Sequence, residues 1–95
     1  MKSTHQLNQK ELDSLYKAIL KLETLAEAKR FFRDLCTHEE LVEMSKRWQA
    51  AQLLDSGKSY RDVAAETGLS TTTVARVAEW LERGRGGYRM MLGRE

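Results

Sequence analysis

Between Lys58 and Arg76 the chain gathers side chains suited to contact with a polyanion. Ser70, Thr71, Thr72 and Thr73 are four consecutive hydroxyls, Ala75 presents a bare methyl and Arg76 a guanidinium. A helix carrying such a slim tip can bring its backbone and side chains close to base edges in a major groove, where arginine can hold guanine bidentately or clamp a phosphate. Upstream, Lys58, Ser59, Tyr60 and Arg61 stand where another helix would begin. Backbone amides and the positive pole of a helix start can hold a phosphate, so these four are candidates for fixing register on a duplex. Taken singly, Ser59 is a cap and Lys58 and Arg61 are solvated charges; their grouping makes them candidates. Nothing comparable suggests catalysis. His5 and His38 lie in a tail and beside a cap, with no nucleophile-base spacing and no glycine-rich phosphate loop. Cys36 and His38 lack the further ligands a zinc ion needs, so neither an enzyme nor a metal site is expected.

These residues need a scaffold, and the run Y-R-D-V-A-A-E-T-G-L-S-T-T-T-V-A-R-V-A-E, from Tyr60 to Glu79, has the pattern of a helix-turn-helix. Ala64 is small where the first helix must press on the second. Gly68 can adopt the positive φ of the bend, and Val63, Leu69, Val74 and Val77 are apolar before, within and after it. On a helix starting at Thr71, residues Val74, Val77, Ala78 and Leu81 cluster within roughly 100° of arc. Their burial would display Thr71, Thr72, Ala75, Arg76, Glu79 and Arg83 on the other side.

The rest of the chain reads as helices too. Short polar residues stand three positions before an acid at Asn8 with Glu11, Thr24 with Glu27, Thr37 with Glu40 and Ser59 with Asp62, and Ser70 suggests a fifth start. Each such cap is worth about 0.5 to 2 kcal/mol. Leu12, Leu15, Tyr16, Ile19 and Leu22 predict a first helix from Asn8 to about Glu23; Ala28, Phe31, Phe32 and Leu35 face a second that ends near Cys36. The third starts at Thr37. Leu41, Met44, Trp48 and Ala51 share one face and Val42 and Leu53 point elsewhere, before Gly57 closes it. With no proline and six glycines in 95 residues, long helices meet few breakers, and an all-α fold is expected.

Hydrophobic residues at 41% and charged residues at 32% suit a single folded, water-soluble domain spanning residues 1–95. The apolar runs are too short to span a membrane and Met1 to Gln6 lack a signal peptide's apolar segment, so no membrane association and a cytoplasmic location are expected. The single cysteine, Cys36, suits a reducing compartment and reads as a small buried hydrophobe. Net charge is only +2, yet residues 1–57 carry nine basic and nine acidic groups while residues 58–95 carry seven against five, so the excess lies in the C-terminal part. So short a chain has a limited core of its own, which leaves two readings: Phe31, Phe32 and Trp48 complete a monomer, or they meet a second copy.

From about Leu35 to Leu81, and above all in L-L-D-S-G-K-S-Y-R-D-V-A-A-E-T-G-L-S-T-T-T-V-A-R, the chain resembles the Trp repressor family, and in length and arrangement its YerC/YecD-type bacterial branch. The resemblance implies a six-helix fold in an intertwined homodimer, with residues 8–57 as a helical dimerisation body, 58–83 as the helix-turn-helix and 84–95 as a C-terminal helix or tail. It implies a DNA-binding transcriptional regulator, a repressor, reading a near-palindromic operator on double-stranded DNA. By position the family's base and phosphate contacts carry over to Arg61, Thr71, Thr72, Thr73 and Ala75. The family's tryptophan pocket uses two arginines; Arg76 matches one, whereas Lys46 stands where the other is expected, with Arg47 beside it, and Val77 replaces a small wall residue. Lysine lacks the planar guanidinium, so Lys46 and Arg76 mark a possible pocket for some unknown small-molecule effector, and L-tryptophan is not expected as co-repressor.

The competing reading is a helical protein-interaction module that does not bind DNA. In it the bend merely packs helices and Tyr88, Met90, Met91 and Leu92 offer an adaptable apolar surface, in place of a last helix docked on the body.

Overall fold

A computed structural model describes residues 6–94; His5 lies outside them. The regular elements among the described residues are six helices: α1 (Gln9–Ile19), α2 (Leu25–Leu35), α3 (His38–Asp55), α4 (Tyr60–Thr67), α5 (Thr71–Arg83) and α6 (Gly87–Leu92), with no strand, so the fold is all-α as expected. The chain divides into two compact units, one ending at Thr37 and the other beginning at His38.

The first unit holds α1 and α2, and its caps are those of the sequence. Asn8 Oδ1 accepts from the amides of Lys10 at 3.0 Å and Glu11 at 3.2 Å. Thr24 Oγ1 accepts from the Glu27 amide at 3.0 Å, and the Glu27 carboxylate reaches back to accept from the Glu23 amide at 2.9 Å. The first helix stops at Ile19, short of the expected Glu23. Beyond it the amides of Lys21 and Leu22 bond three residues back, to Ala18 and Ile19, which tightens the chain out of α-helical geometry while Leu22 keeps the period of the stripe. No residue of α1 or α2 is buried in the single chain; Tyr16, Leu20, Leu25 and Leu35 are exposed. Phe31 and Phe32 are half-buried with their rings edge to face, centroids 5.8 Å apart.

The second unit carries the core. Ala50 and Ala51 of α3, Val63 of α4 and Val74 and Val77 of α5 are all fully buried, with Leu53, Leu54, Ala64, Leu69 and Tyr88 packed round them. Two consecutive alanines leave the α3 surface flat, so two helices can approach it, and each valine sealed there is worth about 1.5 to 3 kcal/mol. Only the C-terminal half of α3 is used in this way; Val42, Met44 and Trp48 stay more than a third exposed in the single chain. The helix closes as anticipated at Gly57, in the left-handed region with φ 97°, where the amides of Gly57 and Lys58 return to the carbonyls of Leu54 and Leu53. At the other end α6 returns to α3: Tyr88 stacks on Trp48 at 6.4 Å, and Arg89 bonds Asp55 at 2.9 Å. Met90 and Met91 remain exposed, so only part of the C-terminal apolar quartet docks.

Gly68 has φ 79°, a region that a β-branched side chain enters only with strain. Gly68→Val is expected to lower stability by about 1 to 3 kcal/mol, read as a fall in the thermal unfolding midpoint by circular dichroism; an unchanged midpoint would refute the strain.

Candidate nucleic-acid interface

The bend that organises the site is held by backbone and one buried side chain. The Gly68 amide returns to the Ala64 carbonyl at 2.9 Å, ending α4 in a left-handed cap. Thr67 is only 5% exposed, and its hydroxyl donates to the Val63 carbonyl at 2.7 Å while accepting from the Leu69 amide at 3.2 Å. A buried hydroxyl with both roles filled costs little and fixes direction, so the chain leaves α4 on one course. Thr67 is polar and falls on no apolar stripe, so no sequence signal marks it.

Ser70 then starts α5. Its Oγ accepts from the Thr73 amide at 3.1 Å and its hydroxyl donates to Thr73 Oγ1 at 3.1 Å. Of the four consecutive hydroxyls, those of Ser70 and Thr73 are therefore joined in the cap, and Thr73 is half-buried. Thr71 and Thr72 are exposed, at the end where the first amides of a helix have no intrahelical partner. Val74, Val77, Ala78 and Leu81 are buried, and Ala75, Arg76, Glu79 and Arg83 are exposed, the division that the helical wheel demands. Glu79 and Arg83 pair along the helix at 3.4 Å, whereas Arg76 has no charged partner among the described residues. One turn behind the hydroxyl tip stands an unpaired guanidinium.

At the head of α4, Ser59 Oγ accepts from the Asp62 amide at 3.1 Å, so Ser59 is a cap. Tyr60 and Arg61 are exposed in the first turn. Lys58 differs from the solvated charge of the sequence reading: its ammonium lies 3.1 Å from the Glu66 carboxylate. Both side chains are nearly half exposed, so the pair contributes only about 0 to 1 kcal/mol and a phosphate can replace the carboxylate. Local spacing does not announce the pairing, because the partners stand eight positions apart across a helix start.

The residues considered for an effector lie on two helices. Arg76 is exposed on α5. Lys46, on α3, is half-buried, and its Nζ lies 3.3 Å from the point where a Cβ on Gly68 would sit. Beside it the Arg47 Nε is buried without a hydrogen bond, with the Glu43 carboxylate at 3.8 Å.

Known proteins share this arrangement. The family model described as Trp repressor protein matches residues 10–95. The uncharacterized protein YerC of Bacillus subtilis (strain 168) is 43% identical over 89 residues, covering 94% of this chain and 86% of that protein. Among crystal structures, a TrpR-like protein from Eubacterium eligens ATCC 27750 superposes with a TM-score of 0.83 at 39% identity, over 86% of this chain and 84% of its own. A candidate Trp repressor from Staphylococcus aureus gives 0.85 at 38% identity, over 97% and 92%.

Removing the α5 cap isolates its contribution. Ser70→Ala is expected to destabilise the protein by about 0.5 to 2 kcal/mol, measured by urea unfolding against Thr72→Ala, whose exposed side chain should cost less; equal losses would count against the cap.

Proposed function

The chain belongs to the Trp repressor family, whose members are DNA-binding regulators and not enzymes, and we propose that it is a transcriptional repressor which reads a near-palindromic operator as a homodimer. The observation that carries this reading is the sidedness of α5, buried along Val74, Val77, Ala78 and Leu81 and displayed along Thr71, Thr72, Ala75 and Arg76. Thr71, Thr72 and Ala75 approach base edges in the major groove, Arg76 reads a guanine or clamps a phosphate, and Ser70 and Thr73 hold the tip. Lys58, Ser59, Tyr60 and Arg61 at the start of α4 fix register on the backbone, Lys58 exchanging Glu66 for phosphate. A twofold axis then sets two α5 helices in successive major grooves about 34 Å apart.

Residues 1–95 act on this reading as one domain, in which 8–57 form the body shared between two copies, 58–83 the reading head and 84–95 the closing segment. The absence of any buried residue in α1 and α2 of the single chain supports a second copy, since an apolar stripe this long gains stability by association. As a regulator of transcription it works, on this reading, in the cytoplasm on the nucleoid; the described residues include no helix long and apolar enough to cross a membrane. L-tryptophan is not its co-repressor, because Lys46 offers an ammonium and no flat guanidinium for an indole to stack on; any effector is a different small molecule.

Selection of bound fragments from random duplexes is expected to return sequences with twofold symmetry, bound with an affinity that falls steeply as salt rises; recovery of no preferred sequence would defeat the reading. On the selected duplex Arg76→Ala is expected to cost about 1 to 3 kcal/mol of binding, and unchanged affinity would remove Arg76 from the interface. Isothermal calorimetry with L-tryptophan is expected to give no heat of binding, and micromolar affinity would restore it as effector.

A further inference from the structure

Beside the αL bend at Gly68 stands a cation that the two helices joined by the bend do not supply. Helix α4 has no basic residue in its last turn. Its negative pole, made by carbonyls with no intrahelical partner, points toward the bend at Gly68. The charge comes from α3: the Lys46 ammonium stands 3.3 Å from the site of a Gly68 Cβ, while the Lys46 side chain is half-buried. Among the described residues Lys46 has neither an ion pair nor a hydrogen bond, so no carboxylate accounts for its position. An ammonium gains where partial negative charge is fixed, and a helix C-terminus provides it. Glycine also leaves the room, because a methyl at position 68 would press on this nitrogen.

We propose that Lys46 is a positioning residue of the reading head, its ammonium serving as a tertiary cap on the C-terminus of α4 that holds the Gly68 bend, and hence the α5 tip, in the orientation that meets DNA. The bend is otherwise tied by a few short bonds, Gly68 amide to Ala64 carbonyl and Leu69 amide to Thr67 Oγ1 among them. A charge anchored on the core helix α3 adds a restraint from outside the two helices that the bend joins. Its effect is on how often the bend opens, and through that on how much of the protein presents a competent tip.

The test uses the full chain, with Lys46→Met, which keeps the aliphatic stem and removes the charge, and Lys46→Arg, which keeps both. Hydrogen exchange is followed at the Gly68, Leu69 and Thr73 amides, with Val77 as an internal core reference. Lys46→Met should speed exchange at the bend by about threefold to tenfold with the core reference unmoved, and Lys46→Arg should restore it. Affinity for the selected duplex should fall in Lys46→Met by a similar factor with the salt slope unchanged, since no phosphate contact is lost. Unaltered exchange in Lys46→Met overturns the proposal, as does Lys46→Arg exchanging as fast as Lys46→Met. A salt slope reduced by about one, with exchange unmoved, would make Lys46 a phosphate contact and also overturn it. The affinity arm rests on the DNA-binding reading above, whereas the exchange arm does not. If the unaltered protein selected no duplex, that reading would fall and exchange alone would decide the role of Lys46.

Discussion

The second unit depends on the burial of three valines against two alanines. Val63, Val74 and Val77 seat themselves on the flat stretch made by Ala50 and Ala51, and that contact fixes both the spacing and the rotation of α4 and α5 on α3. Rotation is the functional quantity. A helix has only one way to bury Val74, Val77, Ala78 and Leu81 together, and in that setting Thr71, Thr72, Ala75 and Arg76 must face outward. The displayed face is thus a consequence of the hidden one. The valines suit the task because their few rotamers give a stiff contact, so α5 is registered against α3 with little freedom to roll.

Around this contact the polar groups act on direction. Thr67 satisfies a carbonyl of α4 and an amide of the turn with one buried hydroxyl, and Ser70 closes the first turn of α5. Their individual contributions are small, about 1 kcal/mol each, but they act on the same few residues and leave the bend little choice. The surface ion pairs are of another kind. Lys58 with Glu66 and Arg89 with Asp55 are exposed and contribute little to stability. In the Lys58 pair the cation is held at the head of α4 by a carboxylate that stays open to water.

The first unit contrasts with this economy. Its helices are capped and periodic, yet they seal no side chain, and Tyr16, Leu20 and Leu25 remain open in the single chain. Local signals were enough to form α1 and α2 and insufficient to complete a core for them. The match to the Trp repressor family runs over residues 10–95 and so takes in helices of both units.

The sequence by itself determined the helical class, the cap residues Asn8, Thr24, Ser59 and Ser70, the closing glycines at 57 and 68, and the sides of α5, because each follows from interactions within about four residues. It overran the end of the first helix, since apolar period persists through a tightened turn that breaks α-helical bonding. Only the tertiary structure decided that Ala50 and Ala51 form the floor of the core, that Tyr88 lies on Trp48, that Lys58 meets Glu66, and that the Lys46 ammonium reaches the Gly68 bend. These depend on how separate helices cross, and a crossing is set by the summed fit of many side chains, so no local spacing announces it.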